Sequence, residues 1–326
     1  YEMLTTVVGS FPFELKNPNN FSDKIKHVFG VYDSYKIAIK DIVTAELNAG
    51  IDIVGDGGVR ENMNMINIFS RHMQGMKIEG GTTVIKSKIL PSHNDITIKD
   101  INTAKKVLDD YIIKHENDLT EEEIVNKGVK GIVTGPSTMI CASRIESFYK
   151  NKNDAIIDYA HAFNSELKAI EEKTEAKYIQ IDEPMLSTGI VDMSVAHEAI
   201  DILTDDIELP IAVHACGDIS KIYKDLANLN VDILDLEFAG NYDNFKILKN
   251  NISKFKGKKF GFGCLNSAID QVDDKYRTRD LIHKAVNVLG EDNIILDPDC
   301  GLGKLSRENA FKKLQLMCNL NKEFNS

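Results

Sequence analysis

The sequence predicts an α/β protein folded as a (β/α)8 TIM barrel, with a β-hairpin excursion between its second and third strands. Three observations predict it. Eight short apolar runs end in Gly, Pro, Asp or Asn, stretches with helical spacing separate them, and reactive side chains stand immediately past them. Parallel strands covered on both faces read as continuous apolar runs, and a closed α/β barrel carries its active site at the C-terminal strand ends. A chain of 326 residues suits one such domain over 1–326, since the fold needs ~250 residues plus insertions.

In order, the runs are Thr5 to Gly9, Ile51 to Gly55, Gly131 to Thr134, Tyr178 to Ile181, Ile211 to His214, Ile233 to Leu236, Lys259 to Gly263 and Ile294 to Leu296. Helical spacing appears over Ser34 to Asn48, Asp154 to Lys173, Ala196 to Leu203, Ile219 to Asn228 and Thr278 to Leu289. The long gap after the second run holds Thr82 to Lys88, then Leu90, Pro91 and the polar stretch Ser92 to Thr97. It reads as a hairpin at the barrel mouth followed by a helix from Asn102 to about Lys114. An open doubly wound sheet is the structural alternative, but such sheets usually have fewer strands.

Composition narrows the function. A formal charge of -11 argues against a surface that neutralises phosphates or anionic lipid, so no nucleic acid and no membrane are expected as partners. No apolar run approaches the ~18 residues of a membrane span, and Tyr1 to Pro12 lacks the order of a signal peptide. A cytoplasmic location is the expectation. Tyr1 in place of an initiator Met suggests that a few upstream residues are missing. Five cysteines form an odd set in a chain of this length, so reduced thiols or metal ligands are expected in place of a disulfide framework.

The strand ends carry Ser10, Asp56, Asp182-Glu183, His214-Ala215-Cys216, Glu237, Cys264 and Cys300. His214 and Cys216 are two apart on one strand, where period two places both side chains on one face. In a closed barrel the ends bearing Glu237 and Cys300 converge on the same mouth. One imidazole, two thiolates and one carboxylate suit Zn²⁺ and poorly suit Mg²⁺ or Ca²⁺. Cys264 also ends a run and competes with Cys300, whereas Cys141 and Cys318 read as helical packing residues. Zinc would lower a thiol from its free pKa of roughly 8.5, making a thiolate nucleophile at neutral pH. Activation of a water for hydrolysis is the competing use, which two anionic thiolates disfavour.

At this point the chain resembles the C-terminal catalytic half of the cobalamin-independent methionine synthase family, zinc-dependent (β/α)8 barrels that methylate homocysteine. The resemblance rests on Thr5-Thr6-Val7-Val8-Gly9-Ser10-Phe11-Pro12, Gly135-Pro136-Ser137-Thr138, Ile179-Gln180-Ile181-Asp182-Glu183-Pro184, His214-Ala215-Cys216 and Asp297-Pro298-Asp299-Cys300-Gly301-Leu302, in that family's order. It implies zinc ligation by His214, Cys216, Glu237 and Cys300 and homocysteine binding by Ser10 and Asp182; catalytic roles are expected of Asp182 and Glu183, and Asp56 is expected to join the substrate-binding residues. Chemically, Asp182 would accept from the α-ammonium, while Ser10 and nearby N–H groups would donate to the carboxylate. The Asp182-Glu183-Pro184 segment also reads as a helix-capping turn.

Departures from the family pattern concern the methyl donor. The long enzymes place a Trp after the Gly-Pro-x-Thr segment and an Arg-Glu pair after Asp-Glu-Pro; here Cys141-Ala142 and Ser187-Thr188 stand there, and the chain has no Trp. The chain matches only the catalytic half and is similar to the family's short core form, for which a methylated corrinoid such as methylcobalamin, carried by a corrinoid protein partner, is the implied donor. A methyl-tetrahydropterin held differently is the alternative. Gly58 replaces an acidic or amide residue that helps bind the substrate amine, so Asp56, Arg60 or Glu61 substitutes, or the acceptor is another thiol such as coenzyme M. A zinc-holding delivery protein is a third reading, disfavoured by Ser10 and Asp182. His93, in the polar loop, reads as a general acid near the mouth or as a solvated loop residue.

Overall fold

Apolar runs interrupted by Gly and Asp become strands when helices cover their outer face, and that is what the computed structural model shows for residues 3–29, 31–61 and 64–324. Tyr1 and the side chain of Glu61 lie outside the described residues. The strands are β1 (Leu4–Thr5), β2 (Ile53–Val54), β3 (Gln74–Glu79), β4 (Thr82–Leu90), β5 (Gly128–Thr134), β6 (Arg144–Ile145), β7 (Ala176–Asp182), β8 (Ile211–Ala215), β9 (Ile233–Glu237), β10 (Lys259–Leu265) and β11 (Ile294–Pro298). Eight of them form one sheet in the order β1-β11-β10-β9-β8-β7-β5-β2, with parallel pairing throughout. A parallel bridge between Thr6 and Ile53 joins the two outermost strands. The sheet is therefore a closed barrel, and the open-sheet alternative falls.

The helices match the sequence periodicity to within a few residues. Ser34–Ala49 is capped by the Asp33 carboxylate on the Lys36 N–H and ends at Gly50, whose φ of +105° suits a residue without Cβ. Lys152–Lys173, Met193–Leu203 and Lys275–Leu289 begin slightly earlier than expected, because Asn151, Asp192 and Asp274 cap them upstream of the apolar stripe. Tyr223–Asn228 is shorter than expected. No described helix is long and apolar enough to cross a membrane.

β3 and β4 make the expected hairpin, turning at Gly80-Gly81, and β6 adds a third strand alongside β4. The hairpin is pinned to the body of the protein by the Ile89 N–H on the Tyr149 hydroxyl (2.8 Å) and by Ser70 against Thr83 (2.8 Å).

Inside the barrel the side chains form layers. Ile53, Tyr178, Ala212, Ile233 and Ile295, each from a different barrel strand, pack together as an apolar floor separate from the main core. Two residues further along the same strands stand Gln180, His214, Asp235 and Asp297, with Lys130 from β5, all buried. The next step of two brings Asp182, Cys216, Glu237 and Asp299 to the mouth. The expected first and second strands are much longer than β1 and β2. The chain leaves the ladder after Thr6 because the carbonyls of Val7 and Val8 are taken by the side chains of Lys130 and Gln180.

Candidate metal centre and mouth pocket

The ligating atoms of His214, Cys216 and Cys300 lie within 4.8 Å of one another at the barrel mouth. Each is fixed by a group that is not itself a candidate ligand. His214 Nδ1 is 3.0 Å from Asp235 Oδ1 on the adjacent strand, directly across the register. The Ser187 hydroxyl donates to the Cys216 carbonyl (2.6 Å), at one of the positions where the long enzymes carry Arg-Glu. Gly301 follows Cys300 where a Cβ would sit 2.2 Å from the Ser10 hydroxyl, so a side chain there would displace that hydroxyl. Behind it, the Gly303 N–H donates to the Ser10 hydroxyl (3.3 Å) and the Leu302 N–H to the Ser10 carbonyl (2.7 Å).

The donor set fits a borderline cation. With Nδ1 engaged by Asp235, His214 Nε2 is buried without a hydrogen-bond partner among the described residues, so its lone pair is available to a metal ion. Burial opposes a charged His214, but Asp235 and Cys300 lift its pKa well above the ordinary value. Cys216 is lowered by the Cys300 thiol beside it, while Cys300 is raised by Cys216 and by burial. Glu237, the fourth expected ligand, is not part of the cluster. It ends β9 beside it, close enough for its charge to oppose ionisation of Cys216.

Cys264 is excluded by direction. It is buried in the outer core and lines a separate cavity with Asn266, Asp273 and Lys313. Cys141 closes the helix Pro136–Cys141 and Cys318 is buried in the helix Arg307–Phe324, as packing residues.

A cavity of about 400 Å³ opens over the cluster, lined by His214, Cys216 and Cys300 on one side and by Ser10, Asp56 and Asp182 on the other. Burial raises Asp56 to about 6, with Asp100 adding to it, and burial likewise raises Asp182 to about 6 against the pull of His214, Gln180 and Lys130. Gly58 has φ of +61° and donates its N–H to Asp56 Oδ1 (2.9 Å), so the residue without a side chain turns Asp56 toward the cavity. Arg60 does not substitute there. Its guanidinium is committed to Asp100 and Asp33 and covers the Tyr35 ring at 4.9 Å. His93 is exposed and outside the cavity lining, as a solvated loop residue would be.

Glu183 points away from the cavity, onto a helix terminus. Its oxygens accept from the N–H groups of Ser137 (2.9 Å) and Thr138 (2.8 Å) and from the Thr138 hydroxyl (2.7 Å), capping the helix Pro136–Cys141. Burial pushes it up to about 7, and it is absent from the cavity lining. The helix-capping reading of this segment thus applies to Glu183, while Asp182 faces the cavity.

Sequence reasoning missed the residues that hold the others in place. Asp299 accepts from the N–H groups of Phe238 (2.8 Å), Ala239 (3.0 Å) and Gly240 (2.6 Å), fixing the loop after Glu237. Asn244 donates to the carbonyls of Gly217 (2.8 Å) and Glu237 (3.0 Å), tying two ligand-bearing loops together. The signal available for Asp235 was an acid inside an otherwise apolar run, Ile233 to Leu236.

Comparison with known proteins shows the family. The chain is 42% identical over 318 residues to the methionine synthase of Methanothermobacter thermautotrophicus, covering 97% of this chain and 98% of that protein. It is 40% identical to the methionine synthase of Methanocaldococcus jannaschii, with 97% of each covered. In fold it is similar to the B12-independent methionine synthase of Shewanella sp. W3-18-1, solved in complex with selenomethionine, with a TM-score of 0.80 at 19% identity over 100% of this chain and 98% of that one. The family described as "Cobalamin-independent synthase, Catalytic domain" matches residues 3–323, nearly every residue that builds the barrel and its mouth, and the chain belongs to that family.

Proposed function

We propose that the chain is a zinc-dependent methyltransferase that forms methionine by methyl transfer to homocysteine, with a methylated corrinoid as donor. The observation that carries this reading is the pairing, in one cavity of about 400 Å³, of a His-Cys-Cys cluster with two carboxyls and a serine. An amino acid with a terminal thiol has the three groups such a cavity recognises. His214, Cys216 and Cys300 would hold the ion, with neighbouring Glu237 as fourth donor. Bound there, zinc would supply stabilisation of a thiolate at neutral pH.

The chain's own residues orient the acceptor. Asp182 and Asp56 accept from the α-ammonium, and Ser10 with adjacent N–H groups receives the carboxylate, so the sulfur is directed at the cluster. The sulfur then attacks the methyl carbon in line. A C–S bond forms, the Co–C bond breaks, and the electron pair stays on cobalt. In sequence, the side chains that the long enzymes use to stack on and bind a pterin have no counterpart here: Cys141-Ala142 stand at one place, and at the other Ser187 donates to the Cys216 carbonyl. In this reading the corrinoid is a substrate brought by a partner protein, which is compatible with a family described as cobalamin-independent.

The test supplies zinc-loaded protein with homocysteine and methylcobalamin and follows methionine and cob(I)alamin together. Stoichiometric appearance of both is expected. Product only with methyl-tetrahydropterin would move the donor assignment, and product only with coenzyme M would overturn the acceptor.

A further inference from the structure

Below the mouth, one buried amide is bonded on every side. Gln180 Nε2 donates to the Val8 carbonyl and to Asp182 Oδ1, both at 2.7 Å. Its Oε1 accepts from Lys130 Nζ, which also donates to the Val7 carbonyl. Both side chains are buried. Burial would drive the Lys130 ammonium down, but Tyr178, Asp235 and Asp297 around it hold it above its ordinary value, so the cation persists. Its Nζ also lies 5.4 Å from the Tyr178 ring centre.

The charge fixes which way the amide points. A flipped Gln180 would present its oxygen to two acceptors and its NH2 to an ammonium group, so only the observed orientation is permitted. Asp182 Oδ1 is thereby held, and among the described residues Oδ2 makes no hydrogen bond and is left for the cavity. The same pair grips the carbonyls of Val7 and Val8, which lead through Gly9 to Ser10.

We propose that Gln180, locked by Lys130, is the positioning residue that sets the two arms of the amino-acid clamp, Asp182 and Ser10, at a fixed separation. This rests on the reading of the mouth as a homocysteine pocket. It makes the polar layer of the barrel interior a specificity device. A thiol that lacks the α-amino and carboxylate groups makes no use of the clamp and is indifferent to Gln180.

The experiment measures binding of homocysteine and of propane-1-thiol to the zinc-loaded protein by calorimetry, in the natural chain and in Gln180→Met. Loss of the positioned contact is expected to weaken homocysteine by about 10-fold, with propane-1-thiol unchanged within about twofold. Zinc content, measured alongside, is expected to be unaltered. Equal weakening of both thiols, or no weakening of homocysteine, would overturn the positioning role. Gln180→Asn, which keeps the amide but shortens its reach, carries the same expectation and serves if the Met variant does not fold. Failure of both variants to fold would assign Gln180 to the fold alone and overturn the proposal. Homocysteine that fails to bind the natural zinc-loaded chain is a different result, since it removes the pocket reading itself.

Discussion

The two walls of the mouth are built differently. On the wall formed by β8, β9 and β11, three candidate ligands converge, and each is fixed by a neighbouring hydrogen bond or close contact: Asp235 on His214, Ser187 on the Cys216 backbone, and Ser10 packed against Gly301 next to Cys300. On the wall formed by β1, β2 and β7, Ser10 and Asp56 stand in the loops after two very short strands and Asp182 ends a long one; the side chains beneath hold Asp182 and the backbone leading to Ser10, while the Gly58 N–H holds Asp56. In the proposed reading the first wall holds a cation beside a sulfur, and the second measures the shape of an amino acid through the buried Lys130–Gln180 pair that grips Asp182 and the backbone leading to Ser10.

That contrast can be broken most severely on the metal wall. Cys300→Ser should abolish stoichiometric zinc and lower methyl transfer by roughly 1000-fold or more, whereas Cys264→Ser should leave both intact; metal analysis of the purified variants checks this, and the reverse pattern would mean that the wrong cysteine faces the cluster. Asp235→Asn keeps the shape but removes the charge behind His214, and a drop in zinc affinity of about 10–100-fold in chelator competition is expected.

Effects on the other wall should be smaller and selective. Asp56→Asn is expected to weaken homocysteine by about 10-fold while sparing propane-1-thiol. The pH dependence has a definite sign. Asp56 and Asp182 both stand near 6, raised by burial, so they are anionic above that pH and neutral below it, while the substrate ammonium stays charged. The preference for homocysteine over propane-1-thiol should therefore fade as pH falls from 7 toward 5, and an unchanged preference would show that neither carboxyl meets the amine. Glu183→Ala should leave homocysteine affinity within about twofold yet destabilise the fold by about 2–4 kcal/mol, because it strips the partners from two N–H groups and a hydroxyl. Denaturant unfolding separates that loss from any change in binding.

Most of the barrel could be read from the chain because parallel strands covered on both sides leave continuous apolar runs, as in Ile211 to His214 and Lys259 to Gly263. β1 could not be bounded, since what ends it is a contact of Val7 and Val8 with Lys130 and Gln180, more than a hundred residues away. Gln74–Glu79 escaped notice as the hairpin's first strand because its residues alternate only weakly between covered and exposed. The clustering of His214, Cys216 and Cys300 was legible because thiols and imidazole at strand ends are chemically conspicuous. Asp235, Asn244 and Asp299 were not, since an acid or amide in a sequence does not disclose which distant N–H or imidazole it will meet. Glu183 shows the converse: its neighbour faces the cavity, yet the strand's alternation turns Glu183 outward onto a helix terminus.

X-ray absorption at the zinc edge, recorded with and without homocysteine, tests the central claim most directly. The arrangement of His214, Cys216 and Cys300 predicts two sulfur ligands and one imidazole in the free protein, and a third sulfur when homocysteine is added. A coordination sphere that homocysteine does not alter, or one with no sulfur at all, would contradict it.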